Sequence, residues 1–143
     1  MAGCLDLPSA ADTDADPRRD GSNAGTVVLV VDDDPEIRDV VRWLLEDEGW
    51  TVETASDGRD ALEQAARTRP ALIVLDMGLP IISGEEVARR LHLEYPDPPP
   101  IIVVSADGRA GEKAARIGAA SYLHKPFDVD ALARLVRGTL DGR

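Results

Sequence analysis

Several residues capable of chemistry stand where runs of apolar residues break off. Asp32, Asp33 and Asp34 follow Val27–Val31, and Asp76 follows Ala71–Leu75. Ser105 follows Ile101–Val104, and Lys125-Pro126 follow Ser121–His124. Two unit charges about 4 Å apart repel by roughly 4 kcal/mol at an effective dielectric near 20. Carboxylates brought that close take up a proton or bind a cation. A hard divalent ion with oxygen ligands is the natural partner, and Mg²⁺ keeps waters that a phosphate can replace. A carboxylate beside Mg²⁺ and a lysine is placed to attack phosphorus, because both cations neutralise charge on the transferring group. Taken singly, these residues have ordinary explanations. Asp34 reads as a helix cap, Asp76 as a turn residue, Ser105 as another cap and Lys125 as a solvated charge. Those explanations do not predict that Asp32, Asp33, Asp76, Ser105 and Lys125 share one edge of a sheet.

The elements between these residues alternate in period. Val27–Val31 is a continuous β-branched run, suited to a strand buried on both faces of a parallel sheet. Asp34-Pro35 reads as a cap followed by proline at the first helical position. Ile37, Val40, Val41, Leu44 and Leu45 then mark one helical face, which Gly49 ends. The pattern repeats: strand 51–55, helix 58–68, strand 71–75, a helix near 84–93, strand 101–104, a short helix near 110–117, strand 121–124 and a last helix capped by Asp128. Ser83 and Glu86 are spaced as a capping box, with Ile82 and Val87 as a hydrophobic staple. The prolines of 95–100 exclude a helix or a central strand there. Five β/α pairs in strict alternation predict a doubly wound (βα)₅ α/β fold with helices on both faces of a five-stranded parallel sheet. Ligands of such sheets bind beyond the carboxyl ends of the strands, where the winding direction switches.

Residues 1–25 hold five Asp and two Arg without an apolar period, and read as a disordered acidic tail preceding one domain, 26–143. The 143 residues suit one domain, and 43% hydrophobic with 30% charged residues is a globular balance. Sixteen Lys and Arg against 27 Asp and Glu give a net charge of −11, which argues against nucleic-acid or anionic-membrane binding through bulk charge. No apolar run reaches the roughly 20 residues of a membrane span, and no apolar stretch precedes Cys4 to act as a secretion signal. A cytoplasmic location is expected. One cysteine excludes a disulfide framework within the chain, and His92 and His124 lack partners at zinc-ligand spacing.

Four segments in order resemble the receiver domain of two-component response regulators. They are Val28–Asp33, Leu75–Pro80 with Gly84, Val104–Ala106 and Tyr122–Phe127. The resemblance covers 26 to the C-terminus and implies a flavodoxin-like sheet of order 2-1-3-4-5. It implies that Asp76 accepts a phosphoryl group from the phosphohistidine of a sensor histidine kinase or phosphotransfer protein. Asp33 would be a direct Mg²⁺ ligand, Asp32 a further one or a partner through water, and the Gly78 carbonyl would complete the protein's share. Lys125 would hold a phosphoryl oxygen, Ser105 would turn its hydroxyl toward the phosphoryl group, and Tyr122 would move inward. By the same similarity Lys125-Pro126 is a cis peptide. Gly78 offers no side chain two residues after the acceptor, while Asp107 offers a carboxylate two residues after Ser105. Both positions flank the path of an attacking water and are expected to tune phosphoryl lifetime.

The expected function is that of a stand-alone signalling switch which catalyses only its own phosphorylation and dephosphorylation, with output through a downstream protein partner. There is no expected direct contact with nucleic acid or membrane. A phosphatase of haloacid-dehalogenase type is the enzymatic alternative, since Asp32-Asp33-Asp34 contains D-x-D. Pro35 stands where that family favours glycine or a small polar residue, and no later acidic pair supplies its second metal motif. A receiver-like binding module that never uses phosphate is the other alternative. No GxxxxGK occurs to support a nucleotide-binding loop.

Overall fold

The computed structural model describes residues 26–142; the acidic segment 1–25, with Cys4, lies outside the described residues. The elements run β1 (Val27–Val31), α1 (Pro35–Asp47), β2 (Thr51–Ala55), α2 (Gly58–Thr68), β3 (Leu72–Asp76), α3 (Gly84–Glu94), β4 (Ile101–Ser105), α4 (Ala110–Ile117), β5 (Ser121–His124) and α5 (Val129–Asp141). All strand pairs are parallel, and the sheet order is β2-β1-β3-β4-β5. The winding direction therefore reverses between β1 and β3. Those two strands pair with Val31 opposite Leu75, so the residues that follow them, Asp32 and Asp76, emerge side by side.

Alternation along each strand sends side chains to two cores. Leu29, Val31, Ile73, Leu75, Ile101 and Val103 pack under α2, α3 and α4, with Ala61, Val87, Leu91 and Ala114. Val28, Val30, Leu72, Val74, Ile102 and Val104 pack under α1 and α5, with Leu45, Trp50, Leu132 and Val136. β3 and β4 are buried along their whole length. β5, at the sheet edge, is only half-buried in alternation. The continuous apolar runs in the sequence thus belong to the covered strands.

Local chemistry sets the helix ends. Asp34 accepts the Glu36 N–H at 2.9 Å, with Pro35 behind it at the first helical position. Asp57 and Asp128 cap α2 and α5 in the same way. Ser83 accepts the Glu86 N–H at 3.2 Å, which is one half of the expected capping box. The other half is replaced: the Glu86 carboxylate pairs with Arg89 and Arg90 on the same helix. Those guanidiniums, Arg89 first, hold its acidity at about 2, well below the usual value. β3 starts one residue later than expected and includes Asp76 as its last residue.

Candidate functional site at the carboxyl edge of the sheet

The first strand delivers a rigid carboxylate and an exposed one. Asp32 is buried, and Asp33 beside it faces solvent. The Asp32 N–H continues the ladder to the Ala55 carbonyl at 3.1 Å, and its carboxylate accepts the Asp34 N–H at 2.9 Å. Arg38, one turn into α1, donates to the Asp32 carbonyl at 2.8 Å. The third strand delivers Asp76, whose Oδ1 accepts the Gly78 N–H at 3.0 Å. A Cβ added at Gly78 would stand 3.6 Å from that same oxygen, so glycine leaves this side of the carboxylate open. One oxygen each from Asp32, Asp33 and Asp76 lie within 4.8 Å of one another.

Lys125 reaches this cluster from the end of β5. Its Nζ is 2.8 Å from Asp32 Oδ2 and 3.3 Å from Asp76 Oδ2. The Lys125-Pro126 peptide is cis, and the Lys125 N–H is tied to the Ser105 carbonyl at 2.9 Å. Burial pushes the Asp32 acid up, and the Lys125 hydrogen bond only partly offsets it. Burial also acts to lower Lys125, but the Asp32 hydrogen bond and both carboxylate charges outweigh it, so the ammonium is held above its usual value. Three carboxylates and one ammonium leave a double negative deficit. All the side-chain donors are hard oxygens. In charge and chemistry the set fits Mg²⁺, a hard cation bound by oxygen ligands that retains waters.

Ser105 and Tyr122 sit on the same edge but are not turned into the cluster. The Ser105 hydroxyl donates to Asp107 Oδ1 at 2.7 Å. Asp107 Oδ2 takes the Lys113 ammonium at 2.6 Å, and its Oδ1 also accepts the Arg109 N–H at 3.0 Å. Tyr122 is 46% exposed, and its ring lies over Gly111 in the first turn of α4. A Cβ at Gly111 would come 3.2 Å from the Tyr122 Cζ, so the outward ring occupies room that the glycine leaves. His124 meets Tyr122 edge to face at 5.9 Å, and His92 Nδ1 lies 2.8 Å from the Ala88 carbonyl. Trp50 is buried in the core and Trp43 is exposed on α1.

Sequence reasoning missed Arg38, Lys113 and Gly111. Arg38 and Lys113 both act six residues from their partners, Asp32 and Asp107. Each pair crosses a turn from strand to helix, so neither a helical nor a strand period brings its members together. Gly111 reads in sequence as a mere weakness of a short helix; its role depends on a ring from a neighbouring strand.

A doubly wound sheet of order 2-1-3-4-5, with an acidic cluster and a lysine at its carboxyl edge, defines a flavodoxin-like α/β domain. The family profile of the response regulator receiver domain matches residues 28–137, and the chain belongs to that family. It is 41% identical over 115 residues to response regulator MprA of Mycobacterium leprae, covering 79% of this chain and 50% of that protein. It is 37% identical over 114 residues to a probable transcriptional regulatory protein, TcrX, of Mycobacterium tuberculosis, covering 79% and 49%. The chain thus spans about half the length of the curated relatives it matches. The signal receiver domain of a LuxO repressor protein from Vibrio parahaemolyticus superposes with a TM-score of 0.76 at 29% identity, over 82% of this chain and 91% of that one. Family membership makes this a signalling domain of phosphorylation-based two-component systems and sets the phosphatase alternative aside. Among the described residues no helix is long and apolar enough to cross a membrane.

Proposed function

We propose that this domain is a Mg²⁺-dependent phosphoacceptor whose acceptor is Asp76. The observation that carries this reading is the meeting of Asp32, Asp33 and Asp76 within 4.8 Å, with Lys125 set between two of them. Bound Mg²⁺ would offset negative charge on the transferring phosphoryl group, held by Asp33, Asp76, the Gly78 carbonyl and Asp32 directly or through water. Asp76 attacks phosphorus, and the bond from phosphorus to the kinase's histidine nitrogen breaks with its electron pair leaving on that nitrogen. Lys125 leaves its present ion pair with Asp76 to hold a phosphoryl oxygen. Ser105 and Tyr122 reorient as the switch, and Gly78 and Asp107 set how long the phosphoryl group lasts.

The donor is proposed to be a sensor histidine kinase or phosphotransfer protein, and output to pass from this domain to a protein partner in the cytoplasm. The strongly acidic balance opposes direct nucleic-acid contact by the domain's own surface. DNA-directed action in a longer chain, in keeping with the name of the M. tuberculosis relative, is compatible with this reading. Intact mass after incubation with acetyl phosphate and Mg²⁺ tests it. The expected outcome is a gain of one phosphoryl group, lost with EDTA and lost in Asp76→Asn. An undiminished gain in Asp76→Asn overturns the acceptor. No gain in the unaltered chain, with no Mg²⁺ binding by titration, favours a phosphate-independent binding module.

A further inference from the structure

The Ser105 hydroxyl carries one proton, and that proton is committed. It lies in a charge-assisted bond to Asp107, 2.7 Å long, and a carboxylate acceptor makes such bonds about twice as strong as neutral ones. Asp107 is itself anchored. Its second oxygen holds Lys113 on α4, and its first also accepts the Arg109 N–H. Lys113 is largely covered, with 19% of its side chain exposed. Lys113 first, then Ser105 and the Arg109 N–H, hold the Asp107 acid far below the usual carboxylate range, so it is ionised at any pH where the domain works. Ser105 ends β4 next to the strand that ends in Asp76, so the bound hydroxyl stands at the edge of the cluster but is turned to a different anion.

We infer that Asp107, anchored by Lys113, is a latch that holds the Ser105 hydroxyl away from the acceptor and opposes capture of the phosphoryl group. The inference rests on the phosphoacceptor reading. To donate to a phosphoryl oxygen, Ser105 must first break its bond to Asp107. Release leaves the Asp107–Lys113 pair without its third member, so the event is passed directly to α4, which carries both Lys113 and Gly111, the residue under Tyr122. Asp107 is a positioning residue here: it acts through Ser105 and touches no reacting atom.

Titration calorimetry with Mg²⁺ and beryllofluoride, a stable mimic of the phosphoryl group, tests the latch on four proteins: the unaltered chain, Asp107→Ala, Ser105→Ala and the double variant. Removing one charged hydrogen-bond acceptor is expected to tighten binding about threefold to tenfold. In the Ser105→Ala background the same substitution is expected to change nothing, because the bond it releases is already gone. Asp107→Asn, which keeps the shape and loses the charge, is expected to give a smaller gain. A gain that persists in the Ser105→Ala background means that Asp107 acts by its charge alone, and the latch is wrong. Equal or weaker binding by Asp107→Ala, with normal binding by the unaltered chain, also overturns it. If the unaltered chain itself binds no beryllofluoride, the phosphoacceptor reading fails and the latch with it.

Discussion

Lys125→Met removes the only cation that touches both buried carboxylates among the described residues, and its effect can be worked out before it is measured. The side chains of Lys125, Asp32 and Asp76 are 16%, 4% and 7% exposed. At 2.8 and 3.3 Å, an effective dielectric near 20 gives gross attractions of about 6 and 5 kcal/mol. Desolvation of the three groups consumes much of that. The comparison that matters is the variant with its charges unpaired, and breaking a buried pair destabilises by about 3–5 kcal/mol. We take the low end, about 3 kcal/mol, because Asp33 and one side of the site are open to water. For a domain of this size that lowers the melting temperature by roughly 10 °C in EDTA. Saturating Mg²⁺ is expected to restore about 2.7 kcal/mol at one hundred times its dissociation constant, and to bind the variant more tightly because no ammonium competes. The pH dependence has a definite sign. Burial raises the Asp32 acid in the folded state, so the fold binds more protons than the unfolded chain above the ordinary aspartate value. Stability falls as pH rises through that window and returns on acidification. Without Lys125 the window widens upward. Thermal unfolding between pH 4 and 8, with EDTA and with Mg²⁺, reads both effects. A variant within about 0.5 kcal/mol of the parent in EDTA, or one that gains no more from Mg²⁺ than the parent does, refutes the electrostatic account of the site.

Two further predictions concern the backbone that holds the site. At Gly84, a Cβ would meet Met77 Sδ at 2.7 Å, Met77 Cα at 2.9 Å and the Asp76 carbonyl at 3.0 Å. Gly84→Ala is expected to lower stability by about 1–3 kcal/mol and weaken Mg²⁺ binding, whereas Gly138→Ala in α5, where nothing lies within 4 Å, is expected to raise stability by about 0.5–1 kcal/mol. Urea unfolding of the two checks that one substitution type gives opposite signs. Ile81, in the loop after Asp76, holds φ at 71° with 75% of its surface exposed. A β-branched residue there is strained by roughly 1–2 kcal/mol, so Ile81→Gly is expected to melt higher although it removes a large side chain. A lower melting temperature in that variant contradicts the strain.

The alternation of strands and helices and the acid cluster were legible in the sequence because both depend on strand periodicity, whereas the strand order came from the resemblance to receiver domains. Once Val27–Val31 and Ala71–Leu75 are seen as covered parallel strands, the residues after them must emerge at the same edge. The helix caps Asp34 and Asp128 are one-residue features and equally local. The reciprocal half of the Ser83–Glu86 box was misread, because the spacing does not reveal that Arg89 and Arg90 compete for the same carboxylate. The orientation of Ser105 and Tyr122 was not legible either. That Ser105 faces Asp107 and that Tyr122 rests on Gly111 depend on side-chain directions fixed by tertiary neighbours. Nothing in residue spacing distinguishes a hydroxyl turned inward from one turned aside.

The sheet is unequal from one side to the other. Asp32 and Asp76 stand at the ends of paired interior strands, while Tyr122 lies on the half-covered edge strand beside the eight-residue α4. Changes of side chain on the first side disturb two cores at once; on the second they meet mostly water and one short helix. Apart from Lys125, Lys113 and Gly111, side chains along β5 and α4 are therefore freer to change than those that close β1 and β3.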